Sequence, residues 1–467
     1  METLAPLVTE LSLDGASLRL LAQRDAARYP VFFDSAAQGP LAQFSFLAST
    51  PVASLTRDAH GTLQAEGVPL VAGGFLDNLQ AWLARDRLAG ARPAHLPFVG
   101  GWFVYLGYEM AEEVEPRLEL PSAPLPFSAF ALRVKTVAIH DHVRDVVYVV
   151  SEATEAASHR AMVEALVEAS GDAGSAEAIV PAPELASLQE EDAGKFLARV
   201  QQAKTHIADG DIYQANLSRA WRLTLAGDSP EMAHAQVYAA LREANPAPFA
   251  ARATWQGVSI FSSSPERLLR IQGKDISTRP IAGTRARHVS AEGGSEEQDR
   301  RDIAALVEHP KERAEHVMLI DLERNDLGRV CVAGSVIVDE YMVTESYAHV
   351  HHIVSNVRGR LRPEATAVDA LRALFPGGTI TGCPKFRCMQ IIAALEQEGR
   401  GAYTGSLGWL GPDGDADFNI LIRTLTLQGA SIELRAGAGI VADSVPEREL
   451  EETRAKARGL LRAFAAA

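Results

Sequence analysis

Apolar and polar positions alternate through Val134–Glu152, "VKTVAIHDHVRDVVYVVSE", on either side of a His-Val-Arg-Asp turn, a pattern that predicts a β-hairpin. "GVSIFSSS", Gly257–Ser264, reads as a further strand. Helical spacing takes over in "FLDNLQAWLARDRL", Phe75–Leu88, after a Gly-Gly pair, and in "DAGKFLARVQQAKTHIADG", which ends at Gly210. Between these stretches the pattern fades into Ala, Glu, Gly, Ser and Pro, as in "EASGDAGSAEAIVPAPE". Such a segment buries too little apolar surface to order strongly. The expected organisation is therefore a β-rich N-terminal region over residues 1–150, a linker over 151–187 and a main region over 188–467. Gly-rich turns and charged residues beside apolar ones concentrate in that last region, which is where chemistry is expected. No repeat of about 20 to 50 residues is visible, so a solenoid or propeller is excluded.

Two predicted helices carry acids on a face. After Pro310, suited to open a helix, Glu312, Glu315, Leu319 and Leu322 follow at spacings of 3, 4 and 3. In the last helix Glu449, Glu452 and Lys456 recur at 3 and 4, while Leu450, Leu460, Leu461 and Phe464 supply burial. Ser444 and Glu447 have capping-box spacing there, and Pro446 suits the first turn. Single glutamates on helices are usually solvated. Two pairs aimed at one place would instead need a cation between them, and all-oxygen ligands favour Mg²⁺. Spacing leaves both readings open.

Composition narrows the class. The chain has 467 residues, 47% hydrophobic and 22% charged, enough for a large core of mixed α and β structure. Its net charge of −15, without a Lys/Arg run, argues against nucleic acid but leaves a small anionic substrate possible. Three cysteines, Cys331, Cys383 and Cys388, fit a reducing compartment and packed thiols. Glu2 and Glu10 interrupt the N-terminus, so no signal peptide is expected, and no apolar run reaches about 18 residues. A cytoplasmic location away from membranes is the expectation.

From Ser262 to Thr453 the segments "SSSPERLLRI", "RPIAGTRAR", "KERAEHVMLIDLERNDLGRV", "HVHHIVSNV", "FPGGTITGCPK", "AYTGSLGWL", "IRTLT" and "GAGIVADSVPERELEET" occur in the order found in the chorismate-utilising enzymes. "LPFVGGWFVYLGYE" and "QFSFLAS" extend the likeness towards the N-terminus. This family, which the chain resembles, includes anthranilate synthase component I, aminodeoxychorismate synthase component I, isochorismate synthase and salicylate synthase. The resemblance implies an α/β (α+β) fold: a large sandwich of two packed antiparallel β-sheets with helices outside, and a chorismate-binding catalytic region over 188–467. It implies Mg²⁺ held by Glu315 and Glu452, with Glu312 and Glu449 bonding the metal's waters. Glu266 resembles the acid that protonates the departing C4 hydroxyl, and His352 the histidine near the ring carboxylate. Arg423 and Tyr403 resemble the groups that hold the enolpyruvyl carboxylate; Gly437, Ala438 and Gly439 resemble a loop whose backbone approaches the ligand. Gly283, Thr284 and Lys456 would complete the substrate pocket.

The nucleophile turns on two positions. Water-using members carry a base lysine within the segment matching "GDIYQANLSR", whereas this chain has Gln214, which cannot deprotonate water. Ammonia is then the expected nucleophile. Many aminodeoxychorismate synthases carry a lysine that attacks C2 where this chain has Ala282; anthranilate synthases usually carry alanine. "FPGGTITGCPK" leans towards the aminodeoxychorismate pattern, and the Leu-Leu-Glu-Ser of feedback-inhibited anthranilate synthases is matched only by "FFDS", Phe32–Ser35. "GAGIVADSVPERE" leans towards anthranilate synthase. The expectation is an aminodeoxychorismate synthase component I feeding 4-aminobenzoate and folate synthesis, through a non-covalent 2-amino-2-deoxyisochorismate intermediate. Anthranilate synthase component I is the alternative. No glutaminase nucleophile turn occurs, so the resemblance implies a separate glutamine amidotransferase subunit as the ammonia source.

Overall fold

Strand Gly101–Leu106 sets the architecture because both of its faces are apolar. Phe103 and Tyr105 join one buried cluster, whereas Trp102, Val104 and Leu106 join another. Alternate side chains point to opposite faces of a strand, so a strand of this kind must be covered on both. The computed structural model describes residues 5–37, 41–86, 92–176, 182–227, 230–286, 300–301, 303–304, 310–346 and 350–465. Among the described residues two large antiparallel sheets, of 12 and 11 strands, pack face to face. The interior between them is aromatic: Phe46, Phe98, Phe103, Tyr105, Phe127, Phe130 and Trp409 meet Val31, Ala251 and Ile260 from the opposite sheet.

Helices cover the outer faces. Ala16–Arg24, Ala156–Ala176, Pro230–Ala244 and Pro446–Leu461 lie on the first sheet, packed with Trp221, Leu223, Leu425 and Leu434. Phe75–Arg85, Ala367–Leu374 and Pro310–Gly328 lie on the second, over Leu269, Ile276 and Phe418. The predicted hairpin forms from Thr136–Asp141 and Val146–Ser151, and the helix ending before Gly210 is Ala193–Ala208, capped by the Asp192 side chain. All three cysteines are free thiols, two of them buried.

Two expectations need correction. Residues 151–187 are not a featureless linker: they hold the helix Ala156–Ala176 and the start of the strand Leu185–Glu190. The physical reason is that Met162, Leu166 and Ala169 fall on one helical face and bury against the first sheet's outer cluster. The Gly/Ser-rich composition belongs only to the end of that helix. The strands of residues 1–150 share both sheets with the rest of the chain. In the first sheet Phe33 stands opposite Ala251, and in the second Tyr105 stands opposite Leu407, so both sheets run continuously from that region into residues 188–467.

The capping box at the last helix also fails to form. Pro446 takes a first-turn position as expected, which makes Val445 the cap and leaves Ser444 one residue too early. Its hydroxyl instead accepts from the Val441 N–H at 3.1 Å.

Replacing Leu166 by Ala, silent in a true linker, is expected to cost about 2–5 kcal/mol because the side chain is wholly buried. Urea unfolding of the purified variant measures it; an unchanged midpoint would contradict this packing.

Candidate active site

The floor of the site is built by one strand pair. Gln214–Leu225 runs antiparallel to Ser431–Ile440, with Asn216 opposite Gly439 and Ser218 opposite Gly437. In "SIELRAGAGI" the even positions are apolar: Ile432, Leu434 and Ala436 pack under one group of helices, Ala438 and Ile440 under another. The odd positions face the other way. Ala438 therefore sends its methyl into the core and offers the site only its backbone.

Gly437 and Gly439 are bare for a steric reason. A Cβ on Gly437 would lie 2.5 Å from both Asn216 Oδ1 and Tyr403 Oη. One on Gly439 would collide with Gln214 Nε2 and lie 3.4 Å from Glu315 Oε1. Gln214 Nε2 donates to Glu315 Oε1 at 2.7 Å. Glu315, on the helix Pro310–Gly328, thus reaches the strand at Gly439. From the other side, Lys456 Nζ donates to the Gly437 carbonyl at 2.8 Å and pairs with Glu452 Oε1 at 2.8 Å. The two carboxylates predicted to hold a metal are therefore tied to the same strand at positions about 7 Å apart.

Glu449 is buried on the same helix, and Glu452 is about half exposed. Among the described residues no three His, Cys, Asp or Glu side chains group closely enough to hold a metal ion. The side chains of Glu312, Ala282 and Thr284 lie outside the described residues. The Lys456 ammonium stands as a cation between Glu452 and the Gly437 carbonyl, so this stretch offers oxygens to positive charge. Such donors suit a hard divalent ion.

A second group of residues lies along the edge of the floor. Glu266 follows the strand Val258–Ser264, is almost wholly buried, and has no hydrogen-bond partner for Oε1 among the described residues. Burial pushes its carboxyl up to about 7, although the Thr379 hydroxyl, the Ile281 N–H, Lys456 and Arg423 all favour the ionised form. His352 lies on the strand Val350–Arg360 opposite Thr284. Burial, with Arg423 adding to it, pushes the imidazole down to about 4, so it is neutral at physiological pH. Arg423 sits at a left-handed backbone position, φ 50°, and its charge reaches both Glu266 and His352. Gly283 is in the strand Ile281–Ala286 at φ 67°, and its backbone counteracts the fall in the His352 pKa. Burial pushes Tyr403 up to about 12 against the pull of Arg400, which keeps the phenol a neutral donor.

Beneath Tyr403 is a group that the sequence reading missed. Arg400 pairs with Glu396 at 2.7 Å, both nearly inaccessible, and Glu396 also accepts from the Ser218 N–H at 2.7 Å. Burial would raise the Glu396 carboxyl, but Arg400 and Arg435 hold it below the usual range. The Arg400 guanidinium lies 5.6 Å from the centre of the Tyr403 ring. No helical spacing announces this pair, because the helix Lys385–Glu396 ends at Glu396, Gln397 takes a left-handed turn and Arg400 lies beyond it.

A sandwich of two antiparallel sheets with this glycine floor and rim of acids defines the class of protein: the chain belongs to the chorismate binding enzyme family, whose pattern matches residues 30–462. It is 42% identical over 375 residues to an anthranilate synthase component I-like protein of Synechocystis, covering 80% of this chain and 74% of that one. It is 40% identical over 385 residues to aminodeoxychorismate synthase component 1 of Bacillus subtilis, covering 79% and 77%. The crystal structure of anthranilate synthase component I from Streptococcus pneumoniae superposes with a TM-score of 0.76 at 31% identity, over 91% of this chain and 93% of the other. No helix among the described residues is long and apolar enough to cross a membrane.

The carboxyl infrared band of Glu266, identified by its loss in Glu266→Gln, is expected to disappear as pH rises through about 7. Removing the favourable charge in Arg423→Met should move that midpoint upward. A midpoint near 4 in the parent protein would contradict the burial argument.

Proposed function

We propose that this chain is an aminodeoxychorismate synthase component I, joining chorismate and ammonia to give 4-amino-4-deoxychorismate. The observation that carries the choice of nucleophile is Gln214: a neutral amide, bonded to Glu315, sits on the floor and can act as no base for water. Ammonia needs none.

In this reading Glu266 is the general acid. Ammonia forms a bond to C2, the ring double bond shifts, and the C4–oxygen bond breaks as Glu266 gives its proton to the departing hydroxyl, which leaves as water. The attacking nitrogen loses one proton to solvent. A second ammonia then bonds to C4 and sheds a proton as the ring double bond shifts back and the C2–nitrogen bond breaks; the first amine takes up a proton and leaves as ammonia, so no enzyme lysine is needed at Ala282. Arg423 and Tyr403 hold the enolpyruvyl carboxylate, Arg423 suiting bidentate pairing. Neutral His352 lies by the ring carboxylate, and the Gly437–Gly439 backbone, with Gly283, Thr284 and Lys456, shapes the pocket.

Glu315 and Glu452 would hold Mg²⁺, with Glu312 and Glu449 on its waters. When bound, the ion supplies positive charge to the substrate's carboxylate and to charge developing in the ring. The relatives' designation as component I or 1 supports an ammonia-supplying partner, which we assign as a glutamine amidotransferase subunit. A reducing cytoplasmic setting fits the free thiols.

Anthranilate synthase is the second reading, favoured by Ala282 and by the relatives of that name. The test is product identity with chorismate, Mg²⁺ and ammonium. The expected product is 4-amino-4-deoxychorismate, released as 4-aminobenzoate when the downstream lyase is added. Fluorescent anthranilate as the main product overturns the first reading. Glu315→Gln should fold normally and lose at least about 100-fold in turnover, the scale of a single preorganised electrostatic group.

A further inference from the structure

Behind Glu266 lies a second buried carboxyl that the reaction above does not use. Glu323, on the helix Pro310–Gly328, is almost inaccessible. It and Glu266 are bracketed by the same two backbone segments. On one side, the Thr278 hydroxyl faces Glu323 and the Ile281 N–H faces Glu266, three residues apart around Pro280. On the other, a Cβ at Gly378 would stand 3.3 Å from Glu323 Oε1, and the adjacent Thr379 turns its hydroxyl towards Glu266, short of a formed hydrogen bond. The 3₁₀ turn Gly378–Ile380 thus separates two acids, one at the substrate pocket and one behind it.

Glu323 also has a way out. Three residues on, buried Asp326 pairs with Lys385 at the head of the helix Lys385–Glu396. The Lys385 side chain is 13% exposed, and its Nζ also donates to the Leu374 carbonyl at 3.0 Å. The charged groups facing this pair are therefore Asp326 from its own helix, Lys385 from the next, and Arg423 and Lys456 on the Glu266 side.

We propose that Glu323 is a positioning residue that restores the proton of Glu266 after each turnover. This rests on the reading of Glu266 as the general acid. When the Glu266 O–H bond breaks and its proton leaves with the C4 hydroxyl as water, Glu266 becomes a carboxylate. The Glu323 O–H bond then breaks and its proton passes to Glu266 across the Thr379 turn. Glu323 recovers a proton from solvent by way of the Asp326–Lys385 pair. Burial, with the Asp326 charge adding to it, pushes the Glu323 carboxyl upward, so it holds a proton where Glu266 is giving one up. Two adjacent buried carboxylates repel, which favours one shared proton over two charges.

The experiment compares the first turnover with the steady state in Glu323→Gln, whose amide keeps the shape and a partner for Thr278. The variant is expected to make one product per site at the parent rate and then slow roughly tenfold, part of what a general acid contributes. Its kcat/KM for chorismate should be unchanged, KM falling together with kcat because the slowed step follows the chemistry, and the parent enzyme should show no such burst. Glu323→Asp, which keeps an acid, should restore most of the steady rate. Equal first and later turnovers at the parent rate overturn the proposal. So does a parallel loss in both phases in a variant that melts like the parent, because that is a packing effect. A parent protein that turns over chorismate while Glu266→Gln does so equally well would overturn the acid assignment itself.

Discussion

The site exists because one strand meets opposite demands on its two faces. In Ser431–Ile440 the side chains at 432, 434, 436, 438 and 440 fill the core beneath the outer helices, and positions 433, 435, 437 and 439 face the opposite way. A ligand can approach that opposite face of the strand only where it is bare, at Gly437 and Gly439. Shifting the register by one residue would point Ala438 and Ile440 at Gln214 and Tyr403 and push the glycines into the core. Everything else in the site, from Glu315 to Lys456, is measured from this strand.

The charged groups divide by depth. Lys456 and Glu452 are half exposed, so solvent screens their pairing. Glu396, Arg400 and Arg435 are inaccessible and bonded to one another, to Ser218 and to backbone. A buried pair of this kind loses most when one partner is removed, which fixes Tyr403 in place without its own titration. Burial, only partly offset by Lys456 and Arg423, pushes the Glu266 carboxyl up to about 7.

Much of this could be read from residue order. Short-range patterns gave the 134–152 hairpin, the helix ending at Gly210 and the helix opened by Pro310, because each depends on neighbours a few positions away. The family motifs singled out Glu266, Arg423, His352 and the glycine pair, and the helical faces singled out Glu312 with Glu315 and Glu449 with Glu452, without showing what any of them does. What escaped was long-range. Met162, Leu166 and Ala169 make a helix of a stretch whose composition reads as a spacer, since a distant sheet covers them. Glu323 resembles any helical glutamate until the turn Gly378–Ile380 is laid over it. Strand pairing such as Phe33 with Ala251 has no local trace at all.

That pairing bears on how the chain can be cut. A fragment starting at residue 188 would keep every motif of the active site yet leave Phe249–Trp255 with a naked outer edge. It would also strip Ala251 and Ile260 of the aromatic rings that cover them. Open edges and exposed apolar faces recruit other chains, so the truncated half is an aggregating species rather than a minimal enzyme.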